Sequence, residues 1–203
     1  MTENGFEYVD LGLPSGTMWA TCNVGATKPE DEGLLFQFGC VDGYRYDDTN
    51  HKFRTNDQNF QDIRNEFIPK TSSGKIYKAN EILDLVDDAA HVNMGGKWRI
   101  PTKDDFEELY DLTIHEVETI NGVQGMLFTS KMNRNKLFIP FANWYDEYFC
   151  GVGTCVQIWS SQVHASYIDI DNAYRLLCSL YGDVCVEHCS CYCAFSVRGV
   201  FKK

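Results

Sequence analysis

Cysteine and histidine crowd the end of the chain. Cys178, Cys185, Cys189, Cys191 and Cys193 lie close together, with His188 among them. Thiolates and imidazole are donors that zinc favours, so a metal site is the first chemistry to weigh. Spacing opposes it. On an extended strand, residues 189, 191 and 193 share one face at about 6.5 Å per step, whereas a tetrahedral site draws its sulfurs together from a tight C-x-x-C turn. Cys-His nucleophilic catalysis through His164 or His188 needs a third group to orient the base, and the residues reveal none. Asp47-Asp48 and Asp57 lack the ordered ligand spacing of a calcium loop and read as a solvated acidic stretch. The expectation is a chain with no catalytic residue, no metal and no cofactor.

What the interval from 162 to 193 offers instead is contact surface. It holds Tyr, Asp, Asn, His, Ser, Cys, Val and Leu with little period; Lys, Met and Trp are absent, and Glu and Gln occur only as Glu187 and Gln162. An AAY codon randomised at both adenines yields residues such as Asn, Tyr, Asp, His, Ser, Cys, Val and Leu, and never Lys, Glu, Gln, Met or Trp. Those five types are frequent earlier, as at Lys97-Trp98 and Glu107-Glu108. Two readings stand: an adenine-mutagenised binding surface held in a rigid frame, or a tyrosine- and cysteine-rich terminal hairpin of chance composition. For binding the residue types are apt, because Tyr supplies contact area at low entropy cost while Ser, Asn and Asp supply adaptable hydrogen bonds. The expected contacts are Tyr145, Tyr148, His164, Tyr167, Asp169, Asp171, Arg175, Tyr181, Asp183, His188 and Tyr192, although strand alternation turns some of them inward. Trp159, Leu176, Phe195 and Val197 are expected to be framework.

The elements that position this interval are readable in part. Residues 8–12 and 17–21 predict a hairpin around Pro14-Ser-Gly16, with Trp19 in the core. Acids at 30–32 ahead of Leu34-Leu35-Phe36 predict a short helix over about 29–36. Residues 40–76 read as a long polar surface loop, with Phe60, Ile63 and Phe67 as possible anchors. A helix is expected over 82–92, stopped by Gly95-Gly96. Thr102 with Asp105 resembles a capping box, and Phe106, Leu109 and Tyr110 share a helical face. Strands follow at 124–130 and 136–140, joined at Asn133-Arg-Asn135, and again from Trp159. The order predicts one α+β domain over 1–203, with early helices packed on antiparallel sheets and a variable region at about 144–193.

Composition narrows the partners. The 203 residues suit one domain with a substantial core. With 18 Lys plus Arg against 29 Asp plus Glu, the net charge of -11 argues against nucleic acid and anionic membrane. No apolar run reaches the ~20 residues of a membrane span, so direct insertion is not expected. The start, Met1-Thr-Glu-Asn-Gly-Phe, lacks the basic and apolar regions of a secretory signal. Nine unevenly clustered cysteines do not read as a disulfide framework, and reduced thiols are expected.

Several motifs in order carry a resemblance: Val9-Asp-Leu-Gly-Leu-Pro-Ser-Gly16 with Trp19-Ala20, Asn23-Val-Gly-Ala26, Gly95-Gly-Lys-Trp-Arg-Ile-Pro-Thr102, Phe138-Ile-Pro140, Trp159-Ser-Ser161 and Ser196-Val-Arg198. The chain resembles bacterial proteins of the C-type-lectin fold, in the branch shared with formylglycine-generating factors. Within it, the chain is similar to variable proteins of diversity-generating retroelements, including phage tropism determinants that bind receptors. That resemblance implies a hypervariable, ligand-presenting C-terminal face between the Trp-Ser-Ser and Ser-Val-Arg motifs, a protein or cell-surface receptor as partner, and display on a phage virion or bacterial surface. Ala194, Cys191 and Gly199 depart from the residues usual there and are expected to loosen the last strand. The copper-dependent activity of the enzyme branch does not carry over, because the cysteines here lack its local context; a cysteine-dependent oxidoreductase and a constant adhesive domain remain the alternatives. The Glu-Pro-Asn loop of calcium-bridged sugar binding is absent, and Trp159-Ser160-Ser161 replaces the Trp-Asn-Asp strand.

Overall fold

The computed structural model describes residues 1–47, 52–54, 71–145, 150–151, 153–164 and 172–203. Chain order begins with strands β1 (Thr2–Glu3), β2 (Phe6–Asp10), β3 (Thr17–Asn23), β4 (Leu35–Gln37), β5 (Arg45–Asp47) and β6 (Lys52–Arg54). Helices α1 (Ala89–Met94) and α2 (Lys103–Leu112) come next. They lead into β7 (Thr113–Ile120), β8 (Val123–Ser130), β9 (Lys136–Pro140), β10 (Trp144–Tyr145) and β11 (Cys150–Gly151). The chain closes with β12 (Cys155–Val163), β13 (Asn172–Ser179), β14 (Val184–Ser190), β15 (Ala194–Ser196) and β16 (Arg198–Lys202). The architecture is α+β, weighted towards sheet. The helices sit mid-chain, after the first strands, rather than at its beginning.

One sheet runs β1-β2-β3-β16, so the last strand returns to the first hairpin. A second runs β11-β10-β15-β12-β13-β14, with β4 paired to β15, and a third runs β7-β8-β9. Two apolar cores result. One gathers Met18, Phe36, Trp98, Trp159 and Phe195; the other gathers Trp19, Phe106, Leu109, Met126, Ile158 and Leu176.

Helix α2 shows how local sequence sets an anchor. The Thr102 side chain accepts from the Asp105 N–H at 3.3 Å, and Asp105 accepts in return from the Thr102 N–H at 2.8 Å. This capping box satisfies two donors that a helix start leaves without partners. Phe106 and Leu109 then point into the second core, whereas Tyr110 is exposed, which corrects the expected three-residue face. Ahead of it, Asp88 caps α1 by accepting from the His91 N–H at 2.9 Å, and Gly95 ends that helix at φ 67°. The expected helix over 82–92 is thus a 3-10 turn, Leu85–Asp87, followed by α1.

The helix expected at 29–36 does not form. Asp31 closes a turn by accepting from the Lys28 N–H at 3.1 Å, and Glu32 is drawn away to the Asn143 N–H. Gly33 sits at φ +80°, where a Cβ would meet the Val24 carbonyl oxygen at 2.5 Å. With its acids engaged elsewhere and its glycine left-handed, the segment turns, and Leu35–Gln37 pairs with β15.

The stretch read as a surface loop over 40–76 is partly anchored: Tyr44 and Thr71 are buried, and Ser73 donates twice to the buried Asp87, both at 2.6 Å. Phe60, Ile63, Phe67, Asp48 and Asp57 lie outside the described residues. Nor is the last strand loosened. Gly199 lies at a bulge in the β16–β3 pairing, where a Cβ would meet Met94 Sδ at 2.7 Å and Trp98 Cε3 at 3.0 Å. A residue without a Cβ lets β16 pack directly on α1 and Trp98.

Candidate functional site

The two motifs that bracket the composition-biased interval form a buried frame. Trp159 donates from Nε1 to the Phe36 carbonyl at 2.8 Å. After it the β12–β13 register shifts, and Ser160 and Ser161 occupy the irregularity, both fully buried. There the Ser161 N–H donates to the Pro101 carbonyl at 2.7 Å, and the Ser161 carbonyl accepts from the Leu83 N–H at 2.8 Å. Small hydroxyl residues suit this position because the bulge must reach two other chain segments at once. At the other end, Arg198 is fully buried. It donates to Asn23 Oδ1 at 2.9 Å, to the Ala20 carbonyl at 3.0 Å and to the Phe138 carbonyl at 3.3 Å, tying β16 to β3 and β9. Burial pulls its guanidinium down to about 10, still charged at neutral pH.

Between these anchors, β13 and β14 form a hairpin whose register sorts the side chains. Leu176 opposite Val186 and Cys178 opposite Val184 face the second core with Val156 and Ile158, packed against α2. The other face carries Gln157, Leu177 and Cys185 in one row, Trp159, Arg175 and Glu187 in the next, then Val163, Ala173 and Cys189. Arg175 reaches Glu187 Oε2 at 3.3 Å, and its guanidinium carbon lies 5.4 Å from the Phe195 ring centroid. Among the described residues its buried Nε has no hydrogen-bond partner, and the same holds for Gln157 Oε1 on this face. A buried donor and a buried acceptor without partners are costly in a lone domain and are relieved when a polar ligand approaches.

The expected contacts divide among four places. Arg175 lies half-buried on the face just described. His164 and His188 stack with ring centroids 3.8 Å apart, and His164 meets Tyr174 edge-on at 5.0 Å, on the α2 side of the sheet. Tyr181 and Asp183 form the hairpin tip, where Ser179 donates to Asp183 Oδ2 at 2.9 Å and Tyr181 is 85% exposed. Tyr192 is half-buried in the turn after β14, its carbonyl accepting from Gln37 Nε2 at 2.9 Å. Tyr148, Tyr167, Asp169 and Asp171 lie outside the described residues, as does the side chain of Tyr145. The framework residues Trp159, Leu176, Phe195 and Val197 are buried.

Glu187, Tyr174 and Gln157 belong to these surfaces and were not among the expected contacts. Glu187 was visible only as an exception to the composition; its role follows from lying opposite Arg175, which no single-strand pattern reveals. The cysteines correct a second expectation. Residues 189, 191 and 193 do not share one straight strand, because β14 ends at Ser190 and the chain turns, with the Cys193 N–H donating to the Ser190 carbonyl at 3.0 Å. The turn brings Cys193 Sγ to 3.5 Å from Cys189 Sγ. Among the described residues, no three His, Cys, Asp or Glu side chains converge in a way that would hold a metal ion. Burial pushes the Cys178 thiol up, and burial with Glu187 pushes Cys185 up to about 11.

An open groove of about 580 Å³ lies elsewhere, between Thr21, Glu30, Glu118 and Phe138, and none of the expected contacts lines it. Among the described residues, no helix is long and apolar enough to cross a membrane. Comparison with protein-family models, with curated proteins and with solved structures finds no match to this chain.

Proposed function

We propose that this chain is a non-enzymatic ligand-binding protein with a C-type-lectin fold, a variable protein of the diversity-generating-retroelement kind. Its C-terminal face recognises a protein or cell-surface receptor. The observation that carries the reading is a boundary. The Trp159-Ser160-Ser161 and Ser196-Val197-Arg198 motifs are buried, while Tyr181, Asp183, Glu187 and His188 between them are exposed. The fixed motifs thus lie in the core, and residue types that a randomised AAY codon can encode, at Tyr181, Asp183 and His188, lie on the surface between them. Binding on this reading is by shape and tyrosine-centred contact, with no covalent step.

The locus itself tests diversification. A nearby near-copy of codons 162–193 carrying AAY at the variable positions, next to a reverse transcriptase gene, is the expected finding. A locus with neither removes it. Binding to surface proteins of candidate bacterial hosts tests the face. Replacing Tyr167, Tyr181 and Tyr192 by Ala is expected to weaken a true interaction at least about tenfold, as central aromatic contacts do. Unchanged affinity takes those side chains out of the interface.

A further inference from the structure

The geometry points to a thiol–disulfide exchange site formed by Cys189 and Cys193, which takes a low-molecular-weight disulfide as co-substrate and closes reversibly into an intramolecular bond. The sulfurs lie 3.5 Å apart, brought together by the turn that ends β14. That turn is pinned by the Cys193 N–H on the Ser190 carbonyl and by the Tyr192 N–H on Ser190 Oγ at 3.4 Å. Bond formation requires the sulfurs to close from this distance to about 2.05 Å. The two thiols differ in access. Cys189 is half-buried and Cys193 only 4% exposed, so an external disulfide meets Cys189 first.

Cys189 is also the activated partner. The two sulfurs share a hydrogen bond; with Cys193 as its donor and Arg175 beside it, the Cys189 thiol is pulled below the usual thiol range against the opposing effect of burial. Thiolates near a cation are the reactive form of cysteine. The step balances as follows. The Cys189 thiolate attacks one sulfur of RSSR, the S–S bond breaks, and one RS⁻ leaves. Cys193, after giving its proton to the departing thiolate, attacks Cys189 Sγ and expels the second RS⁻, which takes from solvent the proton that Cys189 released on ionising. Two protein thiols are oxidised by two electrons, and one RSSR is reduced to two RSH. The exchange removes a thiolate from beside Arg175. It rests on sulfur geometry and not on the binding reading, and neither readout below involves a receptor.

The test uses the full chain, reduced and then exposed to oxidised glutathione, with cysteines located by peptide mass spectrometry. The first product expected is the Cys189–Cys193 link, and Cys193→Ser is expected to stop at a glutathione adduct on Cys189. Glutathione landing first on Cys22, Cys155 or Cys185, with residues 189 and 193 left as thiols, overturns the site. A second readout needs no substitution. Alkylation of Cys189 in the unaltered chain is expected to run about tenfold faster than that of a free cysteine peptide at pH 6. The advantage disappears above about pH 8, since a low-pKa thiolate is already formed but intrinsically less nucleophilic. A Cys189 rate that climbs with pH alongside the free peptide also overturns the proposal.

Discussion

Two arginines separate the frame of this protein from the face it presents. Arg198 is wholly buried and places its donors on Asn23 and Ala20 of β3 and on Phe138 of β9, all neutral oxygens. Arg175 is half-buried, pairs with Glu187, a residue 48% exposed, and among the described residues keeps a buried Nε without a partner. Both sit in sheet, and both carry the same charge. The difference is the company each keeps: Arg198 is enclosed by neutral oxygens that hold strands together, whereas Arg175 lies between an exposed carboxylate and the Cys189 thiol. A guanidinium enclosed by protein carbonyls tolerates no exchange of side chain, whereas one at a rim exposes its neighbours to replacement at small cost. The frame is not perfect by this measure, since Trp19 Nε1 and Ser196 Oγ are buried without partners among the described residues, but neither carries a charge.

The comparison breaks most sharply at Arg198. Arg198→Met removes the donors and leaves Asn23 Oδ1 and two carbonyls facing an apolar chain. The expected loss is about 3 kcal/mol or more, since each buried acceptor left without a donor costs about 1–3 kcal/mol. Urea unfolding measures it, through a lower midpoint at unchanged slope. A variant as stable as the parent would show that the frame does not depend on this contact.

A smaller effect with a distinct signature is expected at the α2 cap. Burial alone would push the Asp105 carboxyl up, but the Arg99 guanidinium at 2.7 Å and the Thr102 donors outweigh it and hold it below the usual carboxylate range. A carboxylate with a depressed folded pKa stabilises fully above its unfolded value of about 3.9, and that contribution is lost as pH falls through the folded value. Asp105→Asn is therefore expected to cost about 1–3 kcal/mol at pH 7 and to flatten the acid limb of the stability curve below about pH 4. A parent and variant that lose stability in parallel below pH 4 would place the acid sensitivity elsewhere.

How far the sequence foretold this division depends on the range of the forces involved. The capping box at Thr102 and Asp105, the β2–β3 and β8–β9 pairings and the core position of Trp19 were all legible, because each is written in neighbouring residues or in alternation. The turn at 31–33 was not. Its Glu32 answers to Asn143, more than a hundred positions away, and the helix-like acid pattern gave no sign of that. Strand β7 escaped notice as well, since its exposed Glu116 and Glu118 alternate with residues only half-buried and the apolar period is weak. At the candidate site, composition drew attention to an interval but carried nothing of its geometry. That Arg175 faces Glu187 and that Cys193 turns back on Cys189 are consequences of register and of one turn. Neither is encoded in residue type.

The gentlest expected effect is the one that gives the comparison its functional edge. Tyr181 stands at the hairpin tip, 85% exposed, while the turn beneath it is held by Ser179, Asp183 and Gly182 at φ +90° without help from the phenol ring. Tyr181→Ser should change unfolding free energy by less than about 0.5 kcal/mol, as surface substitutions away from special contacts do. The same change removes the largest exposed apolar surface of the tip, so receptor affinity is expected to fall while the thermal transition stays in place. A shift of several degrees in that transition would mean the ring already packs against the protein, and that the tip belongs to the frame rather than to the face.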